Sequence, residues 1–151
     1  MDLRPEVLTI LLAASPVVEL RGAIPFAIVN GLPLFKSYIL SVLGNMLPVV
    51  PLFFLFDFLF KKLIKFKIIG KVLNWWFAKI KKKSRKVSLW GYLGLIVFVA
   101  IPFPTTGAWT GTFVARLLNF SLSKTLLAVF CGVLFSGIIV SLATLGVKFF
   151  F

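Results

Sequence analysis

The sequence predicts an all-α integral membrane protein of two repeats. Each repeat is a broken or re-entrant helical hairpin followed by a long transmembrane helix, and a basic amphipathic connector joins them. Three observations carry this. First, 60% of the 151 residues are hydrophobic, 18 of them Phe, and only 14% are charged, more apolar surface than a soluble core of this size can hide. Second, the apolar runs Ser37–Phe60 and Leu122–Val147 are long enough to span hydrocarbon, where every backbone group must be paired within a helix. Third, the apolar run before each is interrupted by proline. Ser15-Pro16 and Pro25 bracket Glu19 and Arg21 in the first, and Pro102-Phe103-Pro104-Thr105-Thr106-Gly107 breaks the second.

The first repeat covers about residues 7–60, the connector 61–88 and the second repeat about 89–148. Proline removes a backbone donor and clashes with the preceding turn, and unpaired backbone is tolerated at membrane depth only inside protein or beside water. A re-entrant hairpin of two half-helices therefore suits each broken run, and a kinked full span is the alternative. The halves also repeat in order. Lys36 and Lys124 lie 88 residues apart, as do Gly44 and Gly132, each pair following a break and entering a long apolar helix. Internal repeats with discontinuous helices are a common transporter plan.

If each broken run re-enters, the repeats are inverted, with both termini outside and the connector inside. If each spans fully, the repeats are parallel and both termini are cytoplasmic. The inverted version explains where the breaks fall. Met1-Asp2-Leu3-Arg4-Pro5-Glu6 lacks the positive start of a signal peptide, so the N-terminus is expected to be retained.

The net charge of +13 is concentrated, with 11 of 17 Lys and Arg residues between Lys61 and Lys86. Flanked by apolar runs, this cluster reads as a cytoplasmic loop rather than a nucleic-acid surface. Aromatic and aliphatic residues interleave with its lysines, which suits a helix in the headgroup plane, with Trp75 and Trp76 interfacial and the lysines on anionic lipid. The chain has no His, and its one Cys, Cys131, lies in an apolar run. That leaves neither the usual general base nor a convergent metal set, so no enzyme, cofactor or metal is expected.

Charges within apolar sequence are expensive and face protein or a wet cavity. Glu19 is the strongest candidate for a proton carrier or cation ligand, with Arg21 to hold its charge or attract an anionic headgroup. A structural pair or snorkelling side chains would explain them equally. Pro102, Pro104, Thr105, Thr106, Gly107 and Trp109 form the second candidate site, where freed backbone groups and hydroxyls are available to a ligand. Gly107, Gly111 and Ala115 recur every four residues, which also permits close helix packing. Arg116 suits a headgroup anchor or a partner for Glu19. Asn45, beside Gly44 and before Pro48, is a cavity-lining candidate, and Asp57 reads as interfacial. Ser41, Ser136, Ser141 and Thr144 are expected to make local backbone bonds or helix contacts.

Ser15-Pro16-Val17-Val18-Glu19-Leu20-Arg21-Gly22-Ala23-Ile24-Pro25, the Gly44-Asn45 pair followed by Pro48, and Pro102–Gly111 followed by Ala115 resemble the bacterial and archaeal small multi-drug export protein family. The resemblance covers most of the chain outside the connector. More distantly, the paired broken helices look like DedA and VTT-domain membrane proteins, associated with moving lipids or lipid carriers and with proton-linked transport. It implies a multi-pass protein of a prokaryotic cell membrane, with Glu19 matching the acidic residue of the first re-entrant element and Arg116 the arginine after the second. The leading functional reading is a transporter or lipid-carrier translocase with Glu19 as coupling carboxylate, on a small-molecule or lipid-phosphate substrate. A small-molecule or drug exporter is the alternative, and a non-transporting membrane structural protein a third. The thin helical wall argues for a homodimer.

Overall fold

The computed structural model describes residues 4–63, 85–103 and 106–150. Trp75, Trp76, Pro104 and Thr105 lie outside the described residues, and so does most of the connector. The described elements are all helices: α1 (Pro5–Ala14), α2 (Glu19–Val29), α3 (Leu34–Met46), α4 (Val49–Leu63), α5 (Arg85–Ala100), α6 (Ala108–Leu117) and α7 (Leu122–Phe150).

Local chemistry sets the boundaries. Pro5 opens α1, where its fixed φ is pre-set and its missing N–H costs nothing. Extended Ser15, the residue before Pro16, closes it. The Ser15 hydroxyl donates to Leu12 O at 2.8 Å and accepts the Val18 N–H at 3.2 Å, which stitches the break to the helix before it. Pro25 does not end a helix as Pro16 does. It sits inside α2, removing one helical bond without stopping the chain.

Leu34–Leu59 and Leu122–Val147 are each 26 residues long and apolar enough to cross a membrane. As helices they would reach about 39 Å against a hydrocarbon core of about 30 Å. The first run is less regular than its composition suggests, because Leu47 and Pro48 form a turn between α3 and α4. Pro48 has no N–H to donate, and the helix resumes with Leu52 N–H on Pro48 O at 2.9 Å. Leu43, Leu47, Phe54, Phe58, Leu127, Phe135 and Leu142 are exposed on these runs, as expected of surfaces that face lipid. Two long apolar helices in an all-α chain give a multi-spanning membrane fold.

Each long helix carries the two shorter helices that precede it: α1 and α2 pack on α3, and α5 and α6 on α7. Glycine permits the closest of these approaches. A Cβ on Gly44 would lie 2.6 Å from Ile10 O and 2.8 Å from Ala13 Cβ of α1. A Cβ on Gly132 would lie 2.5 Å from Val99 Cβ and 2.9 Å from Ile96 O of α5. The same small-residue packing fills the interior, where Ala23, Ala27, Ala108, Ala115 and Ala128 are fully buried.

One turn is built twice, 88 residues apart. Leu32 N–H bonds Ala27 O and Phe120 N–H bonds Ala115 O, both at 3.0 Å. Gly31 N–H bonds Ile28 O at 3.1 Å, and Asn119 N–H bonds Arg116 O at 3.0 Å. Gly31 (φ 84°) and Asn119 (φ 57°) hold the left-handed position that ends a helix in this way. The next helix is then started by a hydroxyl. Ser37 Oγ donates to Pro33 O and Thr125 Oγ1 to Ser121 O, both at 3.0 Å.

The halves also interlock crosswise. The end of α2 lies beside the end of α7, where Ile28 and Val29 share a cavity wall with Ala143, Thr144 and Val147. The end of α6 lies beside the later part of α4, where Arg116 pairs with Asp57. Between them, Tyr38 of α3 donates its hydroxyl to Leu134 O of α7 at 3.1 Å.

Candidate functional site

The two breaks meet at the first turns of α2 and α6. Glu19 opens α2 with φ 51°, a left-handed conformation uncommon for a side chain of this size and a marker of local constraint. Its carboxylate is 6% exposed as a residue and accepts the backbone N–H of Trp109, in the first turn of α6. An anion suits that place, where helix N–H groups are unpaired and the dipole end is positive. Gly107, immediately before α6, leaves the room. A Cβ there would fall 1.8 Å from Glu19 Oε2.

Arg21 lies one turn into α2, its Nη2 3.6 Å from Glu19 Oε2. A regular helix would point the two residues to different faces. The left-handed backbone at Glu19 lets them approach. The guanidinium also donates to Phe103 O and to Thr106 O, and reaches Thr106 Oγ1 at 3.2 Å. The second break is thereby held by a cation from the first half. Thr106 ties the break internally, donating its hydroxyl to Ile101 O at 2.7 Å and accepting the Phe103 N–H at 3.2 Å. Trp109 returns the contact, its Nε1–H donating to Ala14 O at 3.1 Å at the end of α1. Arg21 and Trp109 are themselves 88 residues apart, so equivalent positions reach into opposite breaks.

A cavity of about 710 Å³ adjoins this junction, with Arg21 at its wall together with Pro25, Pro102, Val140 and Thr144. Its lining is almost wholly apolar. Thr144 spends its hydroxyl on Val140 O at 2.8 Å, and Arg21 is committed as described. Near the end of α6, Arg116 pairs with Asp57 and its guanidinium carbon lies 5.3 Å from the centre of the Phe53 ring. The rings of Phe56 and Phe113 meet edge-on there, 5.2 Å apart.

The structure thus brings together Glu19, Arg21, Pro25, Pro102, Thr106, Gly107 and Trp109. It places Arg116 elsewhere, with Asp57 and not Glu19, because the end of α6 has already turned toward α4. Asn45 is fully buried but is not among the cavity-lining residues. Neither end of its amide has a hydrogen-bond partner among the described residues, and the same holds for the Ser41, Ser136 and Ser141 hydroxyls. Of the two roles expected for these residues, Thr144 makes the local backbone bond, and Ser41, Ser136 and Ser141 are buried against neighbouring helices. The Asp57–Arg116 pairing left no trace in the sequence pattern, because its members lie 59 residues apart and Asp57 read as interfacial. Among the described residues no three His, Cys, Asp or Glu side chains gather as a metal site would require.

Long apolar helices, lipid-facing side chains and a charged pair enclosed between broken segments define a multi-pass membrane protein. The chain belongs to the small multi-drug export family, its residues 19–139 matching the family model described as "Putative small multi-drug export protein". This is a transporter family and not an enzyme family. No curated protein and no solved structure matches the chain.

Proposed function

We propose that the protein exports a small, largely apolar molecule through the junction between its two broken segments, with Glu19 as the proton-coupling carboxylate. The observation that carries this is the enclosure of Glu19 and Arg21 at the meeting of α2 and α6, beside a cavity of about 710 Å³. A structural ion pair needs neither the strained backbone at Glu19 nor a glycine kept open for its carboxylate. The apolar lining suits a drug-like solute. It suits a lipid phosphate less well, since the guanidinium expected to receive the phosphate is already engaged by Phe103 O, Thr106 O and Glu19.

The same proposal takes α1–α2 and α5–α6 as re-entrant hairpins in an inverted repeat, with a cytoplasmic connector and both termini outside. Helices α1, α2 and α6 have 10, 11 and 10 residues, about half the reach a span needs. The repeated turn and the crosswise placement of the helix ends support opposite directions for the two long helices. A homodimer completes the assembly, thickening the wall around the path.

The test is transport of a fluorescent lipophilic cation by the full chain in liposomes, with and without an imposed proton gradient. Glu19→Gln keeps size and most hydrogen bonding but cannot titrate. It should insert normally yet lose gradient-driven transport at least about tenfold, while Glu19→Asp retains part of it. Parental transport and gradient response in Glu19→Gln would remove Glu19 from the coupling step. Loss of inserted protein instead would mark the pair as structural.

A further inference from the structure

The cavity has a counterpart, and the counterpart is filled. Shifted by 88 residues, cavity residues Pro25 and Thr144 correspond to Phe113 and Phe56, and Val140 to Leu52. Where the cavity has the ring of Pro25 and the side chain of Thr144 around open space, the equivalent place holds two phenyl rings 5.2 Å apart. Ile28 of the cavity corresponds to Arg116, which is ion-paired to Asp57 and lies over Phe53. The far ends of α2 and α7 wall the open site, and the far ends of α6 and α4 wall the filled one.

We propose that Phe56, Phe113 and the Asp57–Arg116 pair form a gate that closes a second access pathway, related to the open cavity by the internal repeat. The inference rests on the transport reading above. A protein with two related halves can exchange their arrangements, so that opening one pathway closes the other around a fixed central site. The central site is the Glu19–Arg21 junction, which borders the cavity through Arg21 and is tied to both breaks. Aromatic rings and an ion pair between side chains make a seal that can part without unfolding a helix. Arg116 also keeps its Nε buried without a partner among the described residues, so the closed arrangement leaves a donor unsatisfied.

The gate can be tested without knowing the solute. Single cysteines at Leu52, 5% exposed beside the gate, and at Val140, 8% exposed at the cavity, are introduced in Cys131→Ser protein in liposomes. Each is labelled with a water-soluble maleimide. Filling the cavity by Ala143→Trp should speed labelling at Leu52→Cys about fivefold or more, by shifting the population toward the second pathway. Removing the rings by Phe56→Ala with Phe113→Ala should speed Leu52→Cys and slow Val140→Cys together. Thr144→Phe, which copies the residue at the equivalent position, is an independent filling variant if Ala143→Trp does not insert.

The gate is overturned if ring removal speeds Leu52→Cys while Val140→Cys is unchanged, because static packing behaves that way. It is also overturned if filling the cavity leaves Leu52→Cys at its parental rate. Reciprocal labelling without movement of any solute would sustain the gate and sink the export reading. Solute movement without reciprocity would do the reverse.

Discussion

The two halves are alike where they turn and unlike where they meet. Ala27 and Ala115 accept the same bond, Gly31 and Asn119 hold the same left-handed position, and Gly44 and Gly132 admit the same close helix contact. At the junction the equivalent residues are instead complementary. Glu19 corresponds to Gly107, and the carboxylate of one occupies the space a side chain on the other would need. Arg21 corresponds to Trp109, and each donates to carbonyls in the other half's break. The comparison separates scaffold from site. Positions that repeat fix the backbone path, and positions that diverge make the charged pair, the cavity and the aromatic cluster.

Breaking the complementarity should have the largest effect. Gly107→Ala puts a methyl group into the Glu19 carboxylate, the mobile far end of that side chain, so the carboxylate must swing aside. The move should take Glu19 away from Trp109 N–H while the backbone keeps its path. We expect transport to fall at least as far as in Glu19→Gln, with little change in the thermal midpoint in detergent. Full activity in Gly107→Ala would show that Glu19 need not sit where the structure places it.

Gly44→Ala and Gly132→Ala test the shared part. Each new Cβ meets a backbone carbonyl, Ile10 O or Ile96 O, so the neighbouring helix must move. Both should destabilise by about 1–3 kcal/mol, in similar measure, as judged by thermal unfolding of the purified protein. A tolerated substitution at only one site would show that the halves are not mechanically equivalent.

The repeated turn gives a smaller and signed effect. Asn119→Gly relieves a left-handed asparagine and should be neutral or stabilising by a few tenths of a kcal/mol, whereas Gly31→Ala should destabilise by about 1 kcal/mol. The same melting measurement reads both, and a stabilising Gly31→Ala would contradict the φ of 84° at that position.

The smallest effect concerns Glu6 and Lys36, an exposed pair at 2.8 Å. The Lys36 ammonium donating to Glu6 holds that carboxyl below its ordinary value. A lowered folded-state pKa contributes stability that is present at neutral pH and lost as pH falls through the ordinary and then the lowered value. Parent and Glu6→Gln should therefore differ slightly at neutral pH and converge in acid. A difference that grew in acid would reverse the sign.

The scaffold was largely legible in the sequence because it is written in side chains. Proline marked the breaks, and Lys36 with Lys124 and Gly44 with Gly132 gave the register of 88. The repeated turn was harder to read, since its defining bonds are between backbone atoms and its left-handed residue is Gly in one copy and Asn in the other. Glu19 and Arg21 stood out as charges in apolar sequence, but their partners Phe103 O, Thr106 O and Trp109 N–H carry no sequence signal. Gly107 read as part of the second candidate site and as a packing residue, while making space for a carboxylate is a role that requires knowing what lies opposite. Arg116 read as a headgroup anchor or a partner for Glu19, and its pairing with Asp57 was hidden for a related reason: only the crosswise placement of α6 brings Asp57 to it.

The pairing of Glu19 with Gly107 also bears on how such a molecule could arise. Two identical halves assembled about a two-fold axis would carry either a carboxylate at both positions or glycine at both. The first would force two anions and their carbon atoms into one space, and the second would leave the centre without a titratable group. Neither symmetric ancestor could have held this arrangement. A single buried acid facing a glycine at the equivalent position becomes available only when the two halves are free to differ, as they are within one chain.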